Sequence, residues 1–213
     1  MDTTYIPLEN LLAEVRACDH CKDLPLGPRP VVQISASASL LIIGQAPGTR
    51  VHETGIPWND PSGDRLRDWM AVARDTFYKA SRIAIMPMGF CYPGRGKSGD
   101  LPPRRECAPR WHPSLLSTMP ELKLILLVGS YAQKHYLGKG DSDNKPRISN
   151  ISVAERIRRW PVATSRYFPL VHPSPRNRRW LDQNPWFELE ILPVLKQRVA
   201  EVIGEVSMDN SEG

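Results

Sequence analysis

The chain has 213 residues, 41% of them hydrophobic, and a formal net charge of +5, which suits one α/β domain with a sizeable core. No apolar run is long enough to span a bilayer, and the opening Met1-Asp2-Thr3-Thr4-Tyr5 lacks the basic head and apolar stretch of a secretion signal, so a cytosolic protein is expected. The basic excess leans toward polyanionic partners without naming one.

Residues 8 to 17 place Leu11, Leu12 and Val15 on one helical stripe, and Cys18 and Cys21 follow as C-x-x-C. Ser39-Leu40-Leu41-Ile42-Ile43 reads as a fully buried strand that ends abruptly in Gly44-Gln45-Ala46-Pro47-Gly48. Ser62 can cap a helix carrying Leu66, Trp69, Met70 and Val72. Residues 83 to 86 form a second short strand. Cys91 comes next, then a basic stretch with Arg95, Lys97, Arg104 and Arg105, then Cys107. Residues 123 to 128 are a third strand, and Gly129 leads into a helix near 130 to 138. From Gly138 to Asn150 the composition predicts a surface loop. Tyr167-Phe168-Pro169-Leu170-Val171 is a fourth strand, ending in His172-Pro173-Ser174-Pro175-Arg176-Asn177. A final amphipathic helix runs from about 186 to 203, and residues 205 to 213 read as a disordered tail. The 21 prolines cluster in the connections, which predicts long rigid loops. Strands alternating with helices predict an α/β fold, a three-layer α/β/α sandwich around a central, mainly parallel four-stranded sheet, in a single domain over residues 1 to 204.

Open α/β sheets bind ligands at the carboxyl ends of their strands. The two turn-rich segments that begin at Gly44 and His172 follow such ends, so they predict opposite halves of one cleft. The second half is flanked by Arg158, Arg159, Arg178, Arg179, Trp180 and Trp186. Such a mixture is either a solvated basic surface or a nucleic-acid surface, where aromatic and guanidinium faces suit bases. The four cysteines sit in a chain without an export signal, so disulfides are not expected. Their thiolates favour an iron–sulfur cluster or zinc. The wide gap from Cys91 to Cys107 fits a cluster held between loops better than a zinc ribbon, and unligated thiols are the remaining reading.

Together these segments resemble the uracil-DNA glycosylase superfamily, most closely its iron–sulfur-containing bacterial and archaeal branches. The resemblance covers about residues 8 to 200. Gly44-Gln45-Ala46-Pro47-Gly48 is similar to the first family motif, roughly G-E-A-P-G. Gly55-Ile56-Pro57-Trp58 with Asp60-Pro61-Ser62-Gly63 is similar to the G-x-P-F…G stretch, and His172-Pro173-Ser174 to the second motif. The cysteines fall where those branches place [4Fe–4S] ligands, which implies a cluster on Cys18, Cys21, Cys91 and Cys107. Two departures stand out. Gln45 replaces a common Glu, and Ile85-Met86-Pro87-Met88-Gly89-Phe90 lacks the Asn that reads the uracil edge in many members.

The resemblance implies hydrolysis of the N-glycosidic bond of uracil, or of other deaminated bases, in DNA by a monomeric, cytoplasmic, nucleoid-associated bacterial repair protein. Base flipping needs a stacking platform, and Trp58 is the candidate, against a plain core role. Asp60 is the candidate carboxylate for orienting water or balancing the cationic sugar, against a helix-cap role, with Asp64 and Glu53 in reserve. His172 would donate to the leaving base as negative charge builds there. Gly44, Gln45, Ala46, Pro47 and Gly48 would bind the base by close backbone approach. Ser174, Arg176 and Asn177 would grip phosphates and fill the gap, and Arg178 and Arg179 would add salt-dependent affinity. The rival reading is a non-catalytic or covalent damaged-base DNA-binding protein of the same fold. One branch that traps DNA carries G-E-Q-P-G and a reactive His between its third and fourth cysteines. Here Ala46 stands in the motif, and residues 92 to 106 contain no His. A hydrolase built on His172 and a nucleophile turn has no G-x-S-x-G to support it.

Overall fold

A computed structural model describes residues 7–97, 99–138 and 151–204. The predicted tail at 205 to 213 and nearly all of the predicted loop at 138 to 150 lie outside the described residues. In chain order, α1 (Leu8–Arg16) precedes β1 (Leu40–Ile43), α2 (Thr49–Thr54), α3 (Pro61–Met70), α4 (Arg74–Phe77) and β2 (Ile83–Ile85). Two short strands, β3 (Arg95–Gly96) and β4 (Gly99–Asp100), come before α5 (Cys107–Ser117), β5 (Leu124–Val128), α6 (Ser130–Leu137) and α7 (Val153–Arg159). Then come β6 (Tyr167–Leu170), a 3₁₀ turn (Pro175–Asn177), α8 (Arg178–Gln183), a π-turn (Phe187–Ile191) and α9 (Leu192–Ile203).

The main sheet has the order β2-β1-β5-β6, and each of its pairings is parallel. Its central strands are buried at every position, which is why they read as continuous apolar runs and not as alternating ones. Neighbouring residues serve opposite cores. Leu40, Ile42, Leu124 and Leu126 pack with Leu66 and Trp69 of α3 and with Leu195 and Val199 of α9. Leu41, Ile43, Ile125 and Leu127 pack with Val15 of α1, Trp111 and Leu115 of α5, and Ala132 of α6. A sheet covered on both faces by helices is the three-layer α/β/α sandwich expected from the sequence.

Three local features differ from the sequence reading. The helix after Trp58 starts at Pro61, with Asp60 instead of Ser62 as its N-cap; Asp60 Oδ1 accepts from the Gly63 amide at 2.8 Å. Proline is pre-set for the first helical position, which draws the start upstream. The first part of the basic stretch after Cys91 holds an antiparallel strand pair, β3 with β4. The last helix begins with the π-turn, where Pro193 has no N–H to offer the Leu189 carbonyl.

Candidate active site

Because the four main strands run the same way, the segments after β1, β2, β5 and β6 emerge at one edge. A cleft of about 410 Å³ opens there. Gly44, Gln45, Ala46, Pro47 and Gly48 line it from one side, and His172, Ser174, Arg176 and Asn177 from another; Trp58 and Asp60 come from the segment that enters α3. The sequence therefore singled out residues that the fold brings together. Arg178 and Arg179 lie outside this lining, exposed on α8. The reserve carboxylates Asp64 and Glu53 also lie outside it, and Asp64 pairs with Arg67.

Trp58 has a left-handed backbone, φ 55°, an outlier for so bulky a residue and a form of strain that gathers at functional sites. Its neighbours hold it there. Tyr78 Oη donates to the Pro57 carbonyl at 3.0 Å. The indole packs beside the His172 ring, with centroids 5.6 Å apart, and against Gly44, where a Cβ would meet it at 2.8 Å. The Trp58 carbonyl faces Gly63 so closely that a Cβ there would lie 1.7 Å from the oxygen. Gly63→Ala must push apart Trp58 and the Asp60 cap. We expect a stability loss of about 1–3 kcal/mol, as overpacking typically costs, read as a lowered midpoint in urea; an unchanged midpoint contradicts this packing.

The Ser174 amide donates to His172 Nδ1 at 3.2 Å. Nδ1 is then an acceptor, so the neutral ring carries its proton on Nε2. Burial pushes the His172 pKa below its ordinary value, and the nearby Asp60 carboxylate partly offsets this. The Asn177 side-chain amide donates to the His172 carbonyl at 2.7 Å, so it braces the turn itself. Arg65 of α3 donates to the carbonyls of Pro173 (3.4 Å) and Ser174 (3.2 Å), joining the helix capped by Asp60 to the histidine segment. Gln45 Nε2 donates to the Leu101 carbonyl at 3.3 Å, tying the first motif to the chain just after the β3–β4 hairpin.

Sequence reasoning missed Arg65 and Asp100. Asp100, at the end of β4, lines the cleft and faces Gly48, its Oδ2 3.5 Å from where a Cβ there would lie. Nothing in its local sequence marks it, since only the hairpin turns it inward.

Cys18, Cys21, Cys91 and Cys107 line a second cavity together with Phe90, Arg104 and Trp111. All four are free thiols. Burial pushes the Cys91 thiol up to about 11 and the Cys107 thiol to about 12, and the neighbouring cysteines push both further the same way. Cys107 Sγ accepts from the Phe90 amide at 3.3 Å. Arg104 pairs with Asp23 at 2.5 Å, clasping the C-x-x-C segment to the chain before Cys107. Among the described residues no group of three or more His, Cys, Asp or Glu side chains is placed to hold a metal ion. No helix among the described residues is long and apolar enough to cross a membrane.

Against this geometry stands one comparison with known proteins. The sequence model of the Uracil DNA glycosylase superfamily matches residues 31–196, a span that holds both cleft motifs, the Trp58–Gly63 segment and the last two cysteines.

Proposed function

The chain belongs to the uracil DNA glycosylase superfamily, and from that premise we propose that it hydrolyses the N-glycosidic bond of uracil, and of at least one further deaminated base, in DNA. Members of the superfamily are in general hydrolases of N-glycosyl bonds that bind DNA. The observation that carries the reading is the meeting, in one cleft, of Asp60 with a His172 whose proton sits on Nε2.

Breaking the bond between C1′ and the base sends the bonding electrons into the base and leaves positive charge on the sugar. A base inside a duplex must first be flipped out. Trp58 offers it an aromatic neighbour beside the first motif. His172 Nε2–H donates to the base oxygen on which negative charge grows, and a preorganised donor of this kind contributes a few kcal/mol. Asp60 has one oxygen committed to the Gly63 amide. The other is left to balance the cationic sugar and to orient the water that adds at C1′; the proton which that water loses ends on the departing base anion, so the products are the free base and the sugar hydroxyl. The Gln45 amide is occupied by Leu101, in keeping with a carboxylate supplied from outside the first motif. Arg176, at the cleft, and exposed Arg178 and Arg179 would contact phosphates, giving affinity that falls as salt rises.

The chain's place within the superfamily is proposed to be among the cluster-bearing branches. What supports a [4Fe–4S] cluster is the donor set, four thiols that line one cavity and would each give up a proton on loading. The cluster would brace the loop between Cys91 and Cys107, and no chemical step is assigned to it. Protein purified without oxygen should be brown, with about four irons per chain. Colourless protein carrying one tight zinc would replace the cluster with zinc, and protein with neither metal would refute both.

The base is tested with oligonucleotides carrying uracil, hypoxanthine, xanthine or oxidised pyrimidines, treated with alkali after incubation. Strand breaks at uracil and at one other deaminated base are expected. Breaks at uracil alone contradict the wider tolerance, and breaks at none contradict the glycosylase reading.

A further inference from the structure

We propose that His112, steadied by Tyr136, is the positioning residue for the wall of the base pocket at Pro87; this rests on the glycosylase reading. Ile85 and Pro87, at the carboxyl end of β2, line the cleft. The backbone donors of the segment are already committed. Met86 N–H donates to the Ile42 carbonyl (3.0 Å), Met88 N–H to Gly44 (2.9 Å) and Gly89 N–H to Gln45 (3.0 Å), while Pro87 has no N–H at all. With no side-chain amide and no spare backbone donor, this wall can meet a base only by its shape and through its carbonyls. Its position is then what matters, and a misplacement of about 1 Å can cost 10²-fold in rate.

The position of Pro87 is held from behind. His112, on α5 and 2% exposed, has Nε2 3.0 Å from the Pro87 carbonyl and Nδ1 2.6 Å from Tyr136 Oη. A carbonyl only accepts, so Nε2 carries the proton, Nδ1 accepts, and Tyr136 must donate. Burial keeps both groups neutral: it pushes His112 down to about 4 and the Tyr136 phenol up. The Phe90 ring lies nearly parallel to the imidazole (5.7 Å, 16°), and the Tyr136 ring, also nearly parallel (6.0 Å, 19°), meets the imidazole edge through its hydroxyl. One orientation and one tautomer are thus imposed on the ring that grips Pro87. An apolar side chain in its place would leave the Pro87 carbonyl without this donor.

The test uses the full chain and single-turnover release of uracil from DNA, recording rate constant, amplitude and DNA affinity for His112→Leu, His112→Gln and Tyr136→Phe. A merely destabilised protein loses amplitude, because fewer molecules are folded. A displaced wall lowers the rate constant. His112→Leu should lower the rate constant about 10- to 10²-fold with DNA affinity unchanged. His112→Gln, whose amide N–H can reach the place of Nε2–H, should recover most of it, and Tyr136→Phe should fall between. Should His112→Leu fail to fold, nitrogen-15 spectra of the parent decide at neutral pH: the neutral Nε2–H form of His112 is expected, and the Nδ1–H form overturns the inference. A parent that releases uracil while His112→Leu keeps its rate constant overturns the role of His112 alone. A parent that releases no base overturns the glycosylase reading, and the role of His112 with it.

Discussion

Asp60→Asn should slow single-turnover base release by about 10² to 10⁴, the usual contribution of a catalytic acid–base group, while DNA binding stays near the parent value. The substitution isolates charge from structure. Asp60 caps α3 through Oδ1 and the Gly63 amide, and Asn is an equally good N-cap, so the helix start and the Trp58 loop should survive. What disappears is the negative charge that faces His172 and the developing sugar cation. Asp100→Asn is the matched control, because Asp100 is the other carboxylate among the described residues lining the cleft. The account expects it to be the milder change. If Asp60→Asn keeps the parent rate and Asp100→Asn loses it, the carboxylate role belongs to the hairpin.

His172→Ala should cost about 10² to 10³ in the same rate, as removal of one preorganised donor does elsewhere, and by a similar factor for every base the protein accepts. The charge it meets is common to all leaving bases. The Ser174 amide fixes the proton on Nε2, and burial lowers the pKa. The neutral donor therefore persists as pH rises through the ordinary histidine value near 6.5, and the rate should not fall across that range for want of a charged imidazole. Acidification works the other way. Below that value the unfolded chain binds a proton that the folded His172 resists, so its contribution to stability is lost as pH falls. A rate that declines with the titration of a cationic histidine near 6.5 would show that His172⁺, not the neutral ring, is the active form.

The sheet was legible because its strands are buried on both faces and therefore spell continuous apolar runs, as Leu40–Ile43 and Leu124–Val128 do. The cleft was legible because Gly44–Gly48 and His172–Asn177 interrupt two such runs at the same edge. Several parts of the site carry no such signal. Arg65 looks like any helix-surface arginine until α3 is set beside the Pro173 and Ser174 carbonyls. Asp100 faces inward only because β3 and β4 pair. His112 stands on α5 among Arg110, Ser114 and Ser117 with nothing local to mark it, and its meaning comes from a carbonyl 25 residues away. Asn177 belongs to the segment that the resemblance assigns to DNA, but the hydrogen bond from its amide to the His172 carbonyl is visible only in the folded turn. Long-range hydrogen bonds of this kind leave no periodicity in the chain.

The central claim is turnover at a glycosidic bond, and the most direct measurement is the appearance of free base. Purified protein is incubated with excess duplex DNA carrying one labelled uracil; free uracil is then separated from DNA, and the protein is examined under denaturing conditions. The account predicts free uracil in molar excess over protein, alkali-labile abasic sites in equal amount, and no protein joined to DNA. Release of a single equivalent with the protein covalently attached, or binding without any free uracil, would contradict it.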